Sequence, residues 1–307
     1  GPLEELPLSP DMRLPDASAS GTSGADEACP EEPASPHVCV PGGAFLLGSG
    51  QFGGLGELSS LPERTAVVSR FWIDRDEVTV GRWRRAVASG ELDAGANGPH
   101  ANDGPLELDS PLDHALCTWS SAPMGREDHP LNCVNWYGAR AFCRSQGGDL
   151  PTNAQWEYAA TAALRERESE FAWGDELPSC DRAVYGRHPG PHDPGDEDSF
   201  RECLPAGFGP QPISASARDA TPGLGVVGLG GNVAEWVLDS GHPYASDCWR
   251  AAPARDPRCW EQEAPRRMVR GGSWYAGARL TSAAFLVLRG VTSWHAQLGF
   301  RCAYAAR

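Results

Sequence analysis

Lysine is absent from this chain, and every one of its 26 Lys-or-Arg residues is an arginine. That bias reads as the codon usage of a GC-rich genome and points to a bacterial source. Long apolar runs are missing too, so no segment has the length to cross a membrane as a helix. None of the ten cysteines forms a Cys-x-x-Cys unit, which disfavours zinc ribbons. There is no glycine-rich phosphate loop, no zincin helix, no Gly-x-Ser-x-Gly elbow, no internal repeat and no heptad pattern. Basic charge is scarce: 26 basic residues against 41 acidic ones leave a net charge of −15. A phosphate backbone needs clustered cations, so no nucleic-acid partner is expected.

The residues that are abundant point to a loop-rich extracytoplasmic protein. Thirty-six glycines and 27 prolines argue for loops over long helices. Eleven tryptophans indicate an aromatic-rich core or binding face. An even number of cysteines in an acidic, loop-rich chain reads as five disulfides made outside the cytosol, in a secreted, periplasmic or outer-membrane-anchored protein. Gly1-Pro2 looks like a protease scar, which leaves room for a leader or a lipid anchor upstream.

Residues 1–36 carry hardly any large apolar side chains and read as a disordered tether. Residues 37–307 read as one domain. Strands are expected at 38–47 and 71–80, followed by a helix that turns Trp83, Ala86 and Val87 inward. Residues 89–130 are too long for an ordinary connection and need a staple, which Cys117 and Cys133 are placed to supply. The stretch 135–143 is helical, with Trp136, Ala139 and Cys143 on one face. A second helix starts near Thr152, where Thr152 and Gln155 form a capping box, and Trp156, Ala159 and Ala160 pack inward. Glu157 in that helix reads as a hydrogen-bonded structural carboxylate rather than a catalytic acid. Two further irregular excursions carry Cys180 with Cys203 and Cys248 with Cys259.

Seven blocks, in order, give the chain a family. They are VPGGAFLLGS at 40–49, FWIDRDEVT at 71–79, PLNCVNWY with ARAFC at 130–143 and LPTNAQWEYAA at 150–160. GNVAEW at 231–236, RGGSW at 270–274 and LGFRC at 298–302 complete the set. Together they resemble the formylglycine-generating enzyme, or sulfatase-modifying factor, family. The resemblance implies an α+β fold related to C-type lectins, with little regular secondary structure. It also implies that Cys143 pairs with Cys302. The remaining cysteines then fall into neighbours: Cys29–Cys39, Cys117–Cys133, Cys180–Cys203 and Cys248–Cys259.

The chain departs from the family at its reactive centre. The copper-using oxidases carry a cysteine three residues after the Gly-Gly-Ser serine and another five residues on. Here those positions hold Ala276 and Thr281, and neither a methyl group nor a hydroxyl replaces the thiolate that holds Cu(I). No copper is expected. The leading reading is a secreted or surface-attached non-catalytic domain that binds a protein or glycan at the cell surface through the former substrate groove. The alternative is an enzyme, either an oxidase with other metal ligands or a non-haem iron relative built on residues such as His242 and His295. Family resemblance puts Ser273, Trp274, Tyr275, Arg279, Arg289, Trp294 and His295 on the groove. It also implies calcium at Asn232, the Val233 carbonyl and Glu235, with a weaker second site at Asp198 and Phe200, because oxygen ligands suit a hard cation.

Overall fold

The computed structural model describes residues 28–30, 36–49, 60–93, 95–106, 113–188 and 201–306. Most of the expected tether, and the second calcium site at Asp198 and Phe200, lie outside them.

The entry segment is broken by Pro41-Gly42 into two strands that serve different sheets. Strand β1 (His37–Val40) pairs antiparallel with β4 (Phe71–Asp74), and β2 (Gly43–Leu47) pairs with β3 (Arg64–Val68). Proline offers no N–H and glycine no side chain to hold a ladder, so the chain changes sheets there. Beyond Asp74 the chain turns into helix α1 (Val80–Ala88), capped by the Thr79 hydroxyl on the Arg82 amide. Trp83 and Ala86 face the core as the spacing predicts, but Val87 is 44% exposed. One helical position carries it about 100° past Ala86, out of the apolar stripe.

Helix α2 (Trp136–Ser145) begins at the Asn135 side chain, which accepts a hydrogen bond from the Gly138 amide. Helix α3 (Asn153–Thr161) opens with both hydrogen bonds of the Thr152–Gln155 capping box. The C-terminal half builds a four-stranded sheet in the order β7-β6-β5-β8, from β5 (Ala234–Ser240), β6 (Arg266–Arg270), β7 (Leu286–Gly290) and β8 (Leu298–Gly299). Strands β5 and β8 run parallel, while the other pairs are antiparallel. A short helix α4 (Asp247–Ala251) lies in the excursion between β5 and β6, and β9 (Ala303–Ala305) returns to pair with β4. The last strand thus closes the first sheet.

All ten cysteines are paired: Cys29–Cys39, Cys117–Cys133, Cys143–Cys302, Cys180–Cys203 and Cys248–Cys259. These are the expected partners. Cys143 and Cys302 are fully buried in the core cluster that holds Trp83, Phe142 and Phe300, where the Trp83 and Phe142 rings stack at 5.5 Å. No helix among the described residues is long and apolar enough to cross a membrane.

Candidate binding cleft

Two glycines set the position of the cleft. At Gly271 the backbone has φ +78°, and a Cβ there would lie 2.6 Å from the Leu229 carbonyl oxygen. A Cβ on Gly272 would lie 2.3 Å from the Gly230 carbonyl oxygen. Only glycine lets the end of β6 pass so close to the 229–231 loop. Beyond them the chain folds over one face of the four-stranded sheet. Its fixings are main-chain bonds from Trp274 N–H to Asn232 O (2.8 Å), Arg187 N–H to Trp274 O (2.7 Å) and Gly186 N–H to Ala276 O (2.7 Å).

The space beneath is a cleft of about 150 Å³. Its floor is the alternating face of the sheet: Ala234 on β5, Val269 on β6, Val287 on β7 and Leu298 on β8. Leu280, Phe285 and Ala276 add apolar wall, and Ser273, Tyr275, Arg289, His295 and Gln297 bring polar atoms to the rim. Among the described residues no aspartate or glutamate lines it. Of the expected groove residues, the cleft therefore gathers Ser273, Tyr275, Arg289 and His295.

Three others stand elsewhere. Trp274 is buried, its indole Nε1 donating to the Ala296 carbonyl at 3.0 Å, so it supports the groove from beneath. Arg279 is exposed on the 3₁₀ turn Ala278–Thr281 and is not part of the lining. Trp294 is half-buried and stacks on His100 at 3.7 Å, outside the lining. The sequence reading missed the floor, because each strand contributes one small or aliphatic side chain to it. Alternation along β7, with Val287 and Arg289 on the cleft face, was its one visible signal.

The residues do not fit copper. Ala276 lines the cleft, while Thr281 is buried and donates its hydroxyl hydrogen to Ala278 O at 2.7 Å. No thiol is left anywhere in the chain, since every cysteine is in a disulfide. His242 sits against Glu261 at 3.0 Å, and no three metal-ligating side chains converge among the described residues. Glu157 is buried and bound by Arg270, the Tyr244 hydroxyl and the Gly48 amide, which makes it a structural carboxylate.

The stretch expected to hold calcium is packed against other protein groups. Asn232 has both side-chain polar atoms on the Gln211 main chain: Oδ1 accepts from N–H at 2.9 Å and Nδ2 donates to the carbonyl at 3.1 Å. The Glu235 carboxylate is gripped by the Arg301 guanidinium at 2.7–2.9 Å and accepts from the Trp156 indole at 2.8 Å. Asn232 and Glu235 therefore meet different protein partners in this structure. Beside them, burial pushes the carboxyl of Glu77 well above its usual range and that of Asp219 up to about 7.

Comparison with known proteins agrees with the geometry. Residues 23–306 match the Sulfatase-modifying factor enzyme 1-like domain. A formylglycine-generating enzyme of Thermomonospora curvata is 30% identical over 305 residues, covering 89% of this chain and 95% of that protein. An inactive C-alpha-formylglycine-generating enzyme 2 of Mus musculus is 27% identical, covering 90% of this chain and 87% of that one. Among solved structures, PvdO from Pseudomonas aeruginosa superposes with a TM-score of 0.59 at 18% identity, covering 88% of this chain and 94% of that one, which speaks for the fold alone. Active and inactive proteins thus share this architecture. With the matching domain spanning nearly all of its length, the chain belongs to the formylglycine-generating enzyme, or sulfatase-modifying factor, family.

Proposed function

We propose that this chain is a non-catalytic member of its family, acting outside the cytosol and holding a protein or glycan group in the cleft without modifying it. The observation that carries this reading is a cleft kept open while its two metal-binding positions are Ala276 and Thr281. Five disulfides fit an oxidising compartment, in a secreted or surface-anchored protein. The apolar floor suits a few carbon atoms, and the Arg289 and His295 side chains at the rim suit an anionic edge on the ligand.

Binding to arrayed acidic glycans and short peptides tests the site. Tyr275→Ala with Arg289→Ala is expected to weaken capture at least about tenfold, the effect of losing roughly 1.4 kcal/mol at the rim, and to leave the fold intact. Arg279→Ala, outside the cleft, is expected to bind as the parent does. Equal loss in both variants would move the site to the outer face of the 3₁₀ turn.

Oxidase chemistry is expected to be absent. A sulfatase-derived cysteine peptide incubated with the chain, Cu(I) and oxygen should return unchanged by mass spectrometry. Appearance of the aldehyde product would overturn the reading of Ala276 and Thr281.

A further inference from the structure

The sheet face that floors the cleft continues past it. Val269 on β6 and Val287 on β7 are direct partners in the ladder. Arg267 and Arg289 are partners too, two positions farther from the Gly271-Gly272 turn. Alternation puts both pairs on one face, so the floor runs on for about 7 Å into a row of arginines. Indole rings cover that row. The Arg267 guanidinium lies 4.3 Å from the centre of the Trp136 ring and 4.5 Å from that of Trp260. Arg140 lies 5.1 and 4.9 Å from the same two rings, and Arg258 adds a third cation over Trp260 at 5.5 Å.

This stack is fixed from behind and open at its outer edge. Arg267 is 1% exposed and donates to the Ser240 hydroxyl and to the carbonyls of Glu261 and Gln262. Arg140 is held by Asp149 at 2.9 Å, and the Ser240 amide pins the 258–260 segment through the Cys259 carbonyl, also at 2.9 Å. At the edge Arg258 is exposed, Trp260 and Arg289 are half-buried, and Tyr137 is 43% exposed. Neither Arg258 nor Arg289 is in a salt bridge among the described residues. Asp239, which acts on Arg258, is buried and accepts from the Asn153 and Cys259 amides, while Glu261 is engaged by His242 at 3.0 Å. In a chain of net charge −15, two arginines without counter-ions beside open rings make a local attractor for anions.

We propose that cleft and stack form one site for an extended acidic glycan, a chain of uronate sugars whose end enters the cleft and whose next sugars lie across Trp260 and Tyr137. Stacking occupies the flat face of a guanidinium and leaves its N–H donors in plane, where they grip a carboxylate bidentately. Open aromatic rings offer flat apolar area to the C–H face of a sugar, and Tyr137 adds a polar handle. An acidic peptide carries its carboxylates on flexible stems, which lose entropy when held and present no flat face to the rings. The proposal rests on the reading of the cleft given above and adds the class and length of its ligand.

The test titrates the whole chain by calorimetry with a galacturonate hexamer and dimer, a neutral glucose hexamer, and capped hexaglutamate, which carries as many carboxylates as the uronate hexamer. The galacturonate hexamer should bind at least about tenfold tighter than the dimer, and neither the neutral hexamer nor hexaglutamate should match it. In Arg258→Ala and, separately, in Tyr137→Ala that length advantage should shrink to below about threefold. Near-UV circular dichroism identifies which variants are folded. A length advantage kept by both folded variants overturns the proposal, and so does a parent that does not bind the galacturonate hexamer. If Tyr275→Ala with Arg289→Ala still weakens the dimer in the first case, the reading of the cleft stands without the stack. Dimer binding that ignores this double variant removes the reading of the cleft instead, and the joined site with it. Hexaglutamate bound as tightly as the uronate hexamer overturns the glycan in favour of an acidic peptide.

Discussion

Alanine at both Cys143 and Cys302 is expected to lower the unfolding free energy by about 5 kcal/mol, as the chain-entropy model gives for so long a loop. This bridge spans 159 residues, against 10 to 23 for the other four. It joins α2 to the segment just before β9, so its loss frees the C-terminal strand from the helical layer in the unfolded chain and weakens one seam of the core. Cys248→Ala with Cys259→Ala removes the same atoms from a local bridge and should cost nearer about 3 kcal/mol. Denaturant titrations of the two double variants check the order. Equal losses would mean that loop closure is not what the long bridge contributes.

Arg301→Met is expected to cost about 3–5 kcal/mol, because it strands the Glu235 carboxylate in the core without its counter-ion. The guanidinium bonds both oxygens of Glu235 and three main-chain carbonyls, so the loss reaches the β4–α1 connection and the 227–228 turn together. Adding Glu235→Leu should recover part of the deficit by removing the stranded charge. Denaturant titrations of the single and double variants check this, and no recovery on adding Glu235→Leu would show that packing, rather than charge, dominates.

How far the sequence could be read follows from the range of each interaction. The capping box at Thr152 and Gln155, the Asn135 cap and the apolar stripe of α2 are contacts within a few residues of each other, so local spacing carried them. Val38–Leu47 looked like one strand, and only the pairing of its halves with β4 and β3 reveals two. The groove was half visible. Gly-Gly-Ser announces the turn, but whether a following aromatic faces the cleft or the core depends on what lies behind it. Trp274 finds the Ala296 carbonyl, and Trp294 finds His100. Those partners are far from either tryptophan along the chain or offer no periodicity to follow.

The sequence by itself determined the family, the loss of the copper thiolates at 276 and 281, and the oxidising setting that ten cysteines require. These are matters of which atoms exist, and no folding is needed to count them. Tertiary structure alone decided which carboxylates are satisfied. Glu235 and Asn232 lie three residues apart in one motif, and packing gives them different partners, Arg301 for the first and the Gln211 main chain for the second. A carboxylate's role depends on charges and donors brought within a few ångströms from distant segments, and that proximity is created only when the chain packs.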